Sequence, residues 1–356
     1  MKKLILASRF AIPVLAVFLL MPSQPQIADG GANHQKRNLH FGVSGGNVKD
    51  ISRRFCCSGT LGSLVKDSTG VQYILSNNHV LGLAGSATAG DDVSQPGLID
   101  NGCQVATVVA DFTAAPALSS GVDCAIAQLR PGQMDGTGFI EDIGTISSVV
   151  KVPTVGLSVA KSGRTTGFQT GTISSINTSV SVKYPTSCGG NNGPVFTFAN
   201  QVVINSTTFS AGGDSGSLIV TNNSCHQPVA LLFAGSSTST IGNPISLVLT
   251  RLSASLGKTV SFVGGTCSAS NDFSVGDNGP SDKAIEVATA AMREQEDTLM
   301  SKRGVIGVGV SALEKNVSEA TIIVYIDVTA NVTPKLPKRI NGVKVKKVYT
   351  EPFVAY

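Results

Sequence analysis

Ala211-Gly212-Gly213-Asp214-Ser215-Gly216-Ser217, followed at once by Leu218-Ile219-Val220, is the stretch that decides the fold. A glycine-flanked serine running into an apolar strand describes a tight turn at a strand edge. Glycine permits strained backbone there and brings N–H groups close to a reacting carbonyl. An ordinary β-turn entering a strand is the plainer reading, but Gly-Asp-Ser-Gly ahead of an apolar run makes Ser215 a candidate nucleophile.

A serine nucleophile needs a base, and the base needs an orienting group. The chain has four histidines, His34, His40, His79 and His226. Three lie in polar, Gly/Asn-rich surroundings. His79 follows an apolar strand in Tyr73-Ile74-Leu75-Ser76-Asn77-Asn78-His79-Val80, and the end of a core strand is rigid enough to hold a general base. Asp123 is expected inside an apolar strand, Gly121-Val122-Asp123-Cys124-Ala125-Ile126-Ala127, where an acid is costly unless it is paired. Asp91, Asp92 and Asp100 are alternatives, in turn-like surroundings where aspartate is ordinary.

The order His79, Asp123, Ser215, with gaps of 44 and 92 residues, resembles the trypsin-like triad, which runs in the same order with gaps of about 45 and 93. Other well-known triads run in different orders. Over roughly Arg53 to Val263 the chain resembles trypsin-like (chymotrypsin-fold) serine peptidases. More narrowly it is similar to a bacterial exported subgroup related to plant narrow-leaf proteins. Leu75-Ser76-Asn77-Asn78-His79-Val80 and Lys161-Ser162-Gly163-Arg164-Thr165-Thr166-Gly167 carry that likeness. The resemblance implies two six-stranded antiparallel β-barrels and a serine endopeptidase acting through an acyl-enzyme. It also implies an oxyanion hole made by the N–H groups of Gly213 and Ser215.

By the same resemblance the floor of the primary substrate pocket is Phe209, six residues before the nucleophile, and the facing wall is Phe233-Ala234-Gly235. No acid stands between Thr207 and Gly213, so Lys or Arg before the scissile bond is not expected. The wider family's Thr-Ala-Ala-His-Cys is Ser76-Asn77-Asn78-His79-Val80 here, which removes a disulfide beside the histidine. No Ile-Val-Gly-Gly start is present either, so the resemblance does not imply activation by a freed N-terminus pairing with Asp214. Arg164 reads as structural, because the triad fills every catalytic role. The alternatives are a latent or inactive peptidase scaffold that only binds, and a chaperone-protease with a C-terminal recognition module.

The rest of the sequence frames this site. The chain has 356 residues, 14% of them charged and 42% hydrophobic, with 39 glycines and 40 serines. Short apolar runs recur between turn signals, as at 59–65, 71–75, 104–112, 122–129, 171–182, 195–204, 217–220 and 229–233, and that pattern reads as mainly β. One helix is expected near 247–256. A net charge of +4 without a basic run does not point to nucleic acid.

Lys2 and Lys3 precede an apolar stretch of 11 residues, Ala11 to Met21, and turn-prone sequence follows. Residues 1–30 therefore read as a secretory signal peptide, with an uncleaved anchor as the alternative. An exported protein, periplasmic or extracellular, without stable membrane insertion is expected. The seven cysteines fit an oxidising compartment, although their pairing is open. Cys225 beside His226 is too little for a metal site, and no cofactor is called for.

The composition changes near residue 281. The first 281 residues hold 30 charged side chains, and the last 75 hold 20. Residues 31–270 read as the peptidase domain and 271–281, rich in Gly, Asp, Asn and Ser, as a linker. Residues 282–356 read as a small α+β module of unassigned role, expected to fold separately, with a helix capped by Ser281 and strands near 305–310, 321–328 and 343–349. Gly304-Val305-Ile306-Gly307 looks like a PDZ carboxylate loop, but the long helix before it argues against one.

Overall fold

A computed structural model describes residues 32–190, 192–267, 279–313 and 316–356. The expected signal peptide and most of the expected linker lie outside these residues.

Strands dominate, as the alternation of short apolar runs and turn residues predicts. In the first half they are β1 (Val43–Asn47), β2 (Gly59–Leu61), β3 (Ser63–Asp67), β4 (Gln72–Ser76), β5 (Asp92–Gln95), β6 (Thr107–Ala114) and β7 (Ala125–Leu129). A small hairpin, β8 (Phe139–Ile140) and β9 (Gly144–Thr145), follows. The second set is β10 (Ser158–Gly163), β11 (Gly167–Thr172), β12 (Ser175–Lys183), β13 (Val195–Asn205), β14 (Leu218–Thr221), β15 (Pro228–Gly235) and β16 (Ser239–Pro244). Helix Ile245–Leu256 and β17 (Val260–Phe262) return the chain to the first set. Helix Asp282–Met300, β18 (Val305–Leu313), β19 (Asn316–Asp327), β20 (Arg339–Ile340), β21 (Val343–Thr350) and β22 (Phe353–Ala355) complete the chain.

The fold is mainly β and built on two principal sheets, antiparallel except where β21 pairs with β19 and β22 with β12. The first runs β17-β3-β4-β7-β6-β5-β1-β2. It thus holds eight strands where six were expected: β17 from beyond the second sheet adds to its edge, and Gly62 divides β2 from β3. Leu64, Ile74, Val109, Phe112 and Ile126 fill its core. The second runs β11-β10-β14-β15-β16-β13-β12 and then continues into β18-β19-β21-β20. Val159, Ile204, Ile219, Val229 and Leu232 form one of its cores, and Tyr184, Phe198, Phe233, Tyr325 and Phe353 form another.

The sheet therefore runs across the composition boundary. The C-terminal helix packs Ala288, Ala291 and Met292 on Val308, Val310 and Val324, as its apolar spacing requires. Its N-cap is Ser281, whose side chain accepts from the Ala284 N–H. The other face of β18–β19 sends Tyr325 into the aromatic core shared with β13 and β15. Past β21 only Glu351 and Pro352 intervene before β22, which pairs parallel with β12 and antiparallel with β15.

Three disulfides join Cys56 to Cys103, Cys57 to Cys188 and Cys225 to Cys267. Cys124 is a buried free thiol, pushed up in pKa by burial and by neighbouring Asp123. Among the described residues no helix is long and apolar enough to cross a membrane.

Candidate active site

The antiparallel register of β4 with β7 opposes Ser76 to Ala125. The segment leaving β4 and the segment entering β7 must therefore meet at one end of the sheet. That register brings His79 to Asp123 from 44 residues away. His79 lies in a single helical turn, Asn78–Leu81, just past β4. Asp123 lies just before β7 rather than inside a strand, and it is fully buried.

The His79 Nδ1 to Asp123 Oδ2 distance is 2.6 Å, and the His79 backbone N–H donates to Asp123 Oδ1 at 3.2 Å. Asn77 Nδ2 donates to the Asp123 carbonyl at 2.7 Å. Two further partners were not legible in the sequence. Tyr184 Oη donates to Asp123 Oδ2 at 2.7 Å, and Asn243 Oδ1 accepts from the Asp123 N–H at 3.0 Å. Tyr184 follows β12 and Asn243 is in β16, so only the folded second sheet delivers them. Nothing local in Lys183-Tyr184-Pro185 marks the tyrosine as a partner of the acid.

Burial by itself would lower the His79 pKa. The Asp123 charge and hydrogen bond, with a backbone carbonyl on the other ring nitrogen, outweigh it and hold the imidazole above its ordinary value. Asp50, on the same cleft, is pushed up to about 6 by burial, and His79 opposes that shift.

Ser215 heads the turn into β14 on the second sheet. The first sheet grips it from the other side: the Thr60 N–H donates to the Ser215 carbonyl at 2.8 Å, and Thr60 Oγ1 donates to the Gly213 carbonyl at 2.9 Å. Gly213 has φ +96°, and Gly216 has φ +95°. A Cβ on Gly216 would lie 2.1 Å from Ser76 Oγ and 2.2 Å from the Thr60 carbonyl oxygen, so only glycine allows the two sheets to close on this turn.

Asp214 is wholly buried. It accepts from the Ala211, Thr165 and Thr166 N–H groups at 3.0, 2.8 and 3.2 Å, and from Thr166 Oγ1 at 2.7 Å. Its counterion is the equally buried Lys161 Nζ at 3.1 Å. Burial pulls the Lys161 pKa down while Asp214 pulls it up, leaving it below the ordinary lysine value. The Lys-Ser-Gly-Arg-Thr-Thr-Gly segment is thus the anchor of the Ser215 turn. Arg164 makes a two-pronged pair with Asp100, both contacts at 2.6 Å, and its backbone N–H donates to Thr60 Oγ1.

The remaining candidates fall elsewhere. Asp91 pairs with Lys49 and Asp92 with Arg130, so neither serves His79. His34 is hydrogen-bonded to the Gly42 carbonyl and Asp142, and His40 to Glu141. Cys225, beside His226, is consumed by its disulfide. Asp50, Cys57 and Cys188 cluster, but the two sulfurs are bonded to each other.

Phe209 is fully buried in the second-sheet core, next to Gly171 and Ile204. Phe233, Ala234 and Gly235 form the last turn-ward residues of β15. The Phe233 carbonyl accepts from Ser215 Oγ at 3.1 Å. His79 Nε2 meets the carbonyl oxygen of Tyr356 at 2.9 Å. The cleft between the sheets holds about 640 Å³. His79, Gly213, Tyr184, Ala355 and Tyr356 are among its lining residues.

No protein-family model and no curated protein matches the chain. Among solved structures it is similar to a glutamic-acid-specific serine protease, at 20% identity over 62% of this chain and 98% of that one, with a TM-score of 0.44. It is similar to a Nocardiopsis protease, at 15% identity over 63% and 98%, TM-score 0.41. It is also similar to protease A of Thermobifida fusca, at 19% identity over 64% and 99%, TM-score 0.42. Two mainly antiparallel sheets thus meet at one cleft, the first presenting a His–Asp pair and the second a Gly-Asp-Ser-Gly turn.

Proposed function

We propose that the protein is an exported serine endopeptidase. The observation that carries this reading is the cleft-lining His79 held at 2.6 Å by buried Asp123 at the end of one sheet, in the cleft shared with the glycine-strained Ser215 turn of the other.

In this reading Ser215 Oγ attacks the peptide carbonyl carbon and its proton passes to His79 Nε2. The C–N bond then breaks, and the amine leaves with that proton. Water repeats the sequence on the acyl-enzyme, giving a free carboxylate and the starting serine. Asp123 fixes the His79 tautomer and stabilises the imidazolium, and Tyr184 keeps the buried carboxylate hydrogen-bonded in both states. The Gly213 and Ser215 N–H groups receive the developing oxyanion, at about 3–4 kcal/mol per donor in comparable sites. The Lys161–Asp214 pair supplies the buried cation that holds this turn, with no need for a freed N-terminus. Peptides or proteins are the substrates. The leader-like start of the sequence and three disulfides support export.

The test is fluorophosphonate labelling of purified protein followed by mapping of the modified residue. Ser215 alone should be labelled, and Ser215→Ala should abolish labelling with little change in Tm, because the swap removes one hydroxyl. Labelling that persists in the variant would overturn the assignment.

A latent resting form of the same enzyme is favoured by one observation. Ser215 Oγ is bonded to the Phe233 carbonyl, and His79 Nε2 to Tyr356.

A further inference from the structure

The segment Val354-Ala355-Tyr356 runs into the cleft in the pose an extended substrate would take. Ala355 opposes Ala234 and Val354 opposes Gly235, antiparallel along β15. The Tyr356 N–H donates to the Phe233 carbonyl at 3.4 Å, the same oxygen that Ser215 Oγ contacts. The Tyr356 carbonyl oxygen sits 2.9 Å from His79 Nε2. Backbone pairing of this kind along an open sheet edge is how extended peptides are recognised.

The side chains fit as well. The Tyr356 ring packs on the core cluster that contains Phe209. Its hydroxyl donates to the Ser236 carbonyl at 3.0 Å and bonds Ser210, and burial pushes its pKa up to about 12. A Cβ on Gly235 would fall 2.2 Å from that hydroxyl, so glycine is what leaves room for the ring. Phe353 anchors the segment, buried in the aromatic core against Tyr325.

We infer that residues 354–356, anchored by Phe353, are a tethered occupant of the substrate cleft, holding the site latent. We further infer that they report its preferred substrate: an extended chain with a hydroxylated aromatic in the primary pocket and a small residue before it. This rests on the peptidase reading. It also gives the C-terminal module a role: its β18–β19–β21 sheet carries the segment to the cleft across only two connecting residues, Glu351 and Pro352. A short tether of that kind raises local concentration to roughly millimolar or above, so a modest intrinsic affinity suffices for occupancy.

The test compares the full chain with a chain ending at Phe353 and with full-length Tyr356→Asp, which places an acid in an apolar pocket. Two measurements are made: the rate of fluorophosphonate labelling, and the anisotropy of fluorescein-labelled Val-Ala-Tyr. Both altered chains should label at least about tenfold faster than the full chain and bind the peptide at least about tenfold more tightly, since the tethered competitor is gone. Val-Ala-Lys should compete poorly.

Equal labelling rates and equal peptide binding across the three proteins would overturn the tethered occupant while leaving the peptidase reading intact. Absence of labelling in all three would instead refute the peptidase reading. In that case the anisotropy alone decides occupancy, and no binding to the shortened chain overturns it. Equal competition by the Lys and Tyr peptides would overturn the substrate preference. If the shortened chain does not fold, Tyr356→Asp carries the same expectations in an intact chain.

Discussion

At the scale of single residues, the site depends on buried groups that cannot be left unpaired. Asp123→Asn would keep the shape but offer His79 Nδ1 the wrong partner, and a loss of about 10⁴-fold in kcat is expected, as in comparable triads. Steady-state kinetics on a chain lacking residues 354–356 would check it. Lys161→Met strands the Asp214 carboxylate in a dry core, a change that costs about 3–5 kcal/mol. Both a lower Tm and slower labelling of Ser215 should follow, because the same carboxylate holds the Thr165, Thr166 and Ala211 N–H groups.

The pH dependence has a definite sign. His79 is raised by Asp123 against the opposing effect of burial, so kcat/KM should rise as pH climbs through a value above that of ordinary histidine. The stabilising His79–Asp123 charge pair works the other way. Its contribution is full below the unfolded histidine pKa and is lost as pH rises through the folded one. An acid limb centred below the ordinary histidine value would contradict the pairing.

At the scale of elements, β2 and the segment 184–190 do the assembling. Strand β2 belongs to the first sheet, yet Thr60 makes the hydrogen bonds that hold the Ser215 turn. Cys57, close before β2, ties this sheet to the 184–190 segment through Cys188, across 131 residues of sequence. Closing so long a loop restricts the unfolded chain by about 5 kcal/mol in the entropic account. Replacing both cysteines by serine should therefore lower Tm by several degrees or more. It should also loosen Tyr184, four residues before Cys188, and so slow the labelling of Ser215 beyond its effect on stability. A differential-scanning measurement with parallel kinetics would separate the two effects, and unchanged values of both would deny the disulfide this part.

At the scale of the whole molecule, the C-terminal module completes the second sheet. A chain ending near Gly276 keeps His79, Asp123 and Ser215 but bares the β12 edge. It also uncovers Val180, Phe198 and Phe233, which otherwise pack with Tyr325 and Phe353. An open edge over exposed aromatics is an association hazard. We expect a lower Tm and concentration-dependent self-association by analytical ultracentrifugation. A monomeric fragment of unchanged Tm would show the module to be a detachable addition.

The sequence by itself determined the mainly β character, the candidacy of His79, Asp123 and Ser215, and the step in composition near residue 281. Each of these is written locally, in alternation, glycine placement or charge density. Tertiary structure alone decided the partners of those residues. The Ser76–Ala125 register placed His79 on Asp123, and the second sheet delivered Tyr184 and Asn243 to it. Lys161 became the counterion of Asp214. The route of β18 to β22 laid Tyr356 against His79, 277 residues away in sequence. Such contacts depend on how sheets register and stack, and no local window of sequence records that.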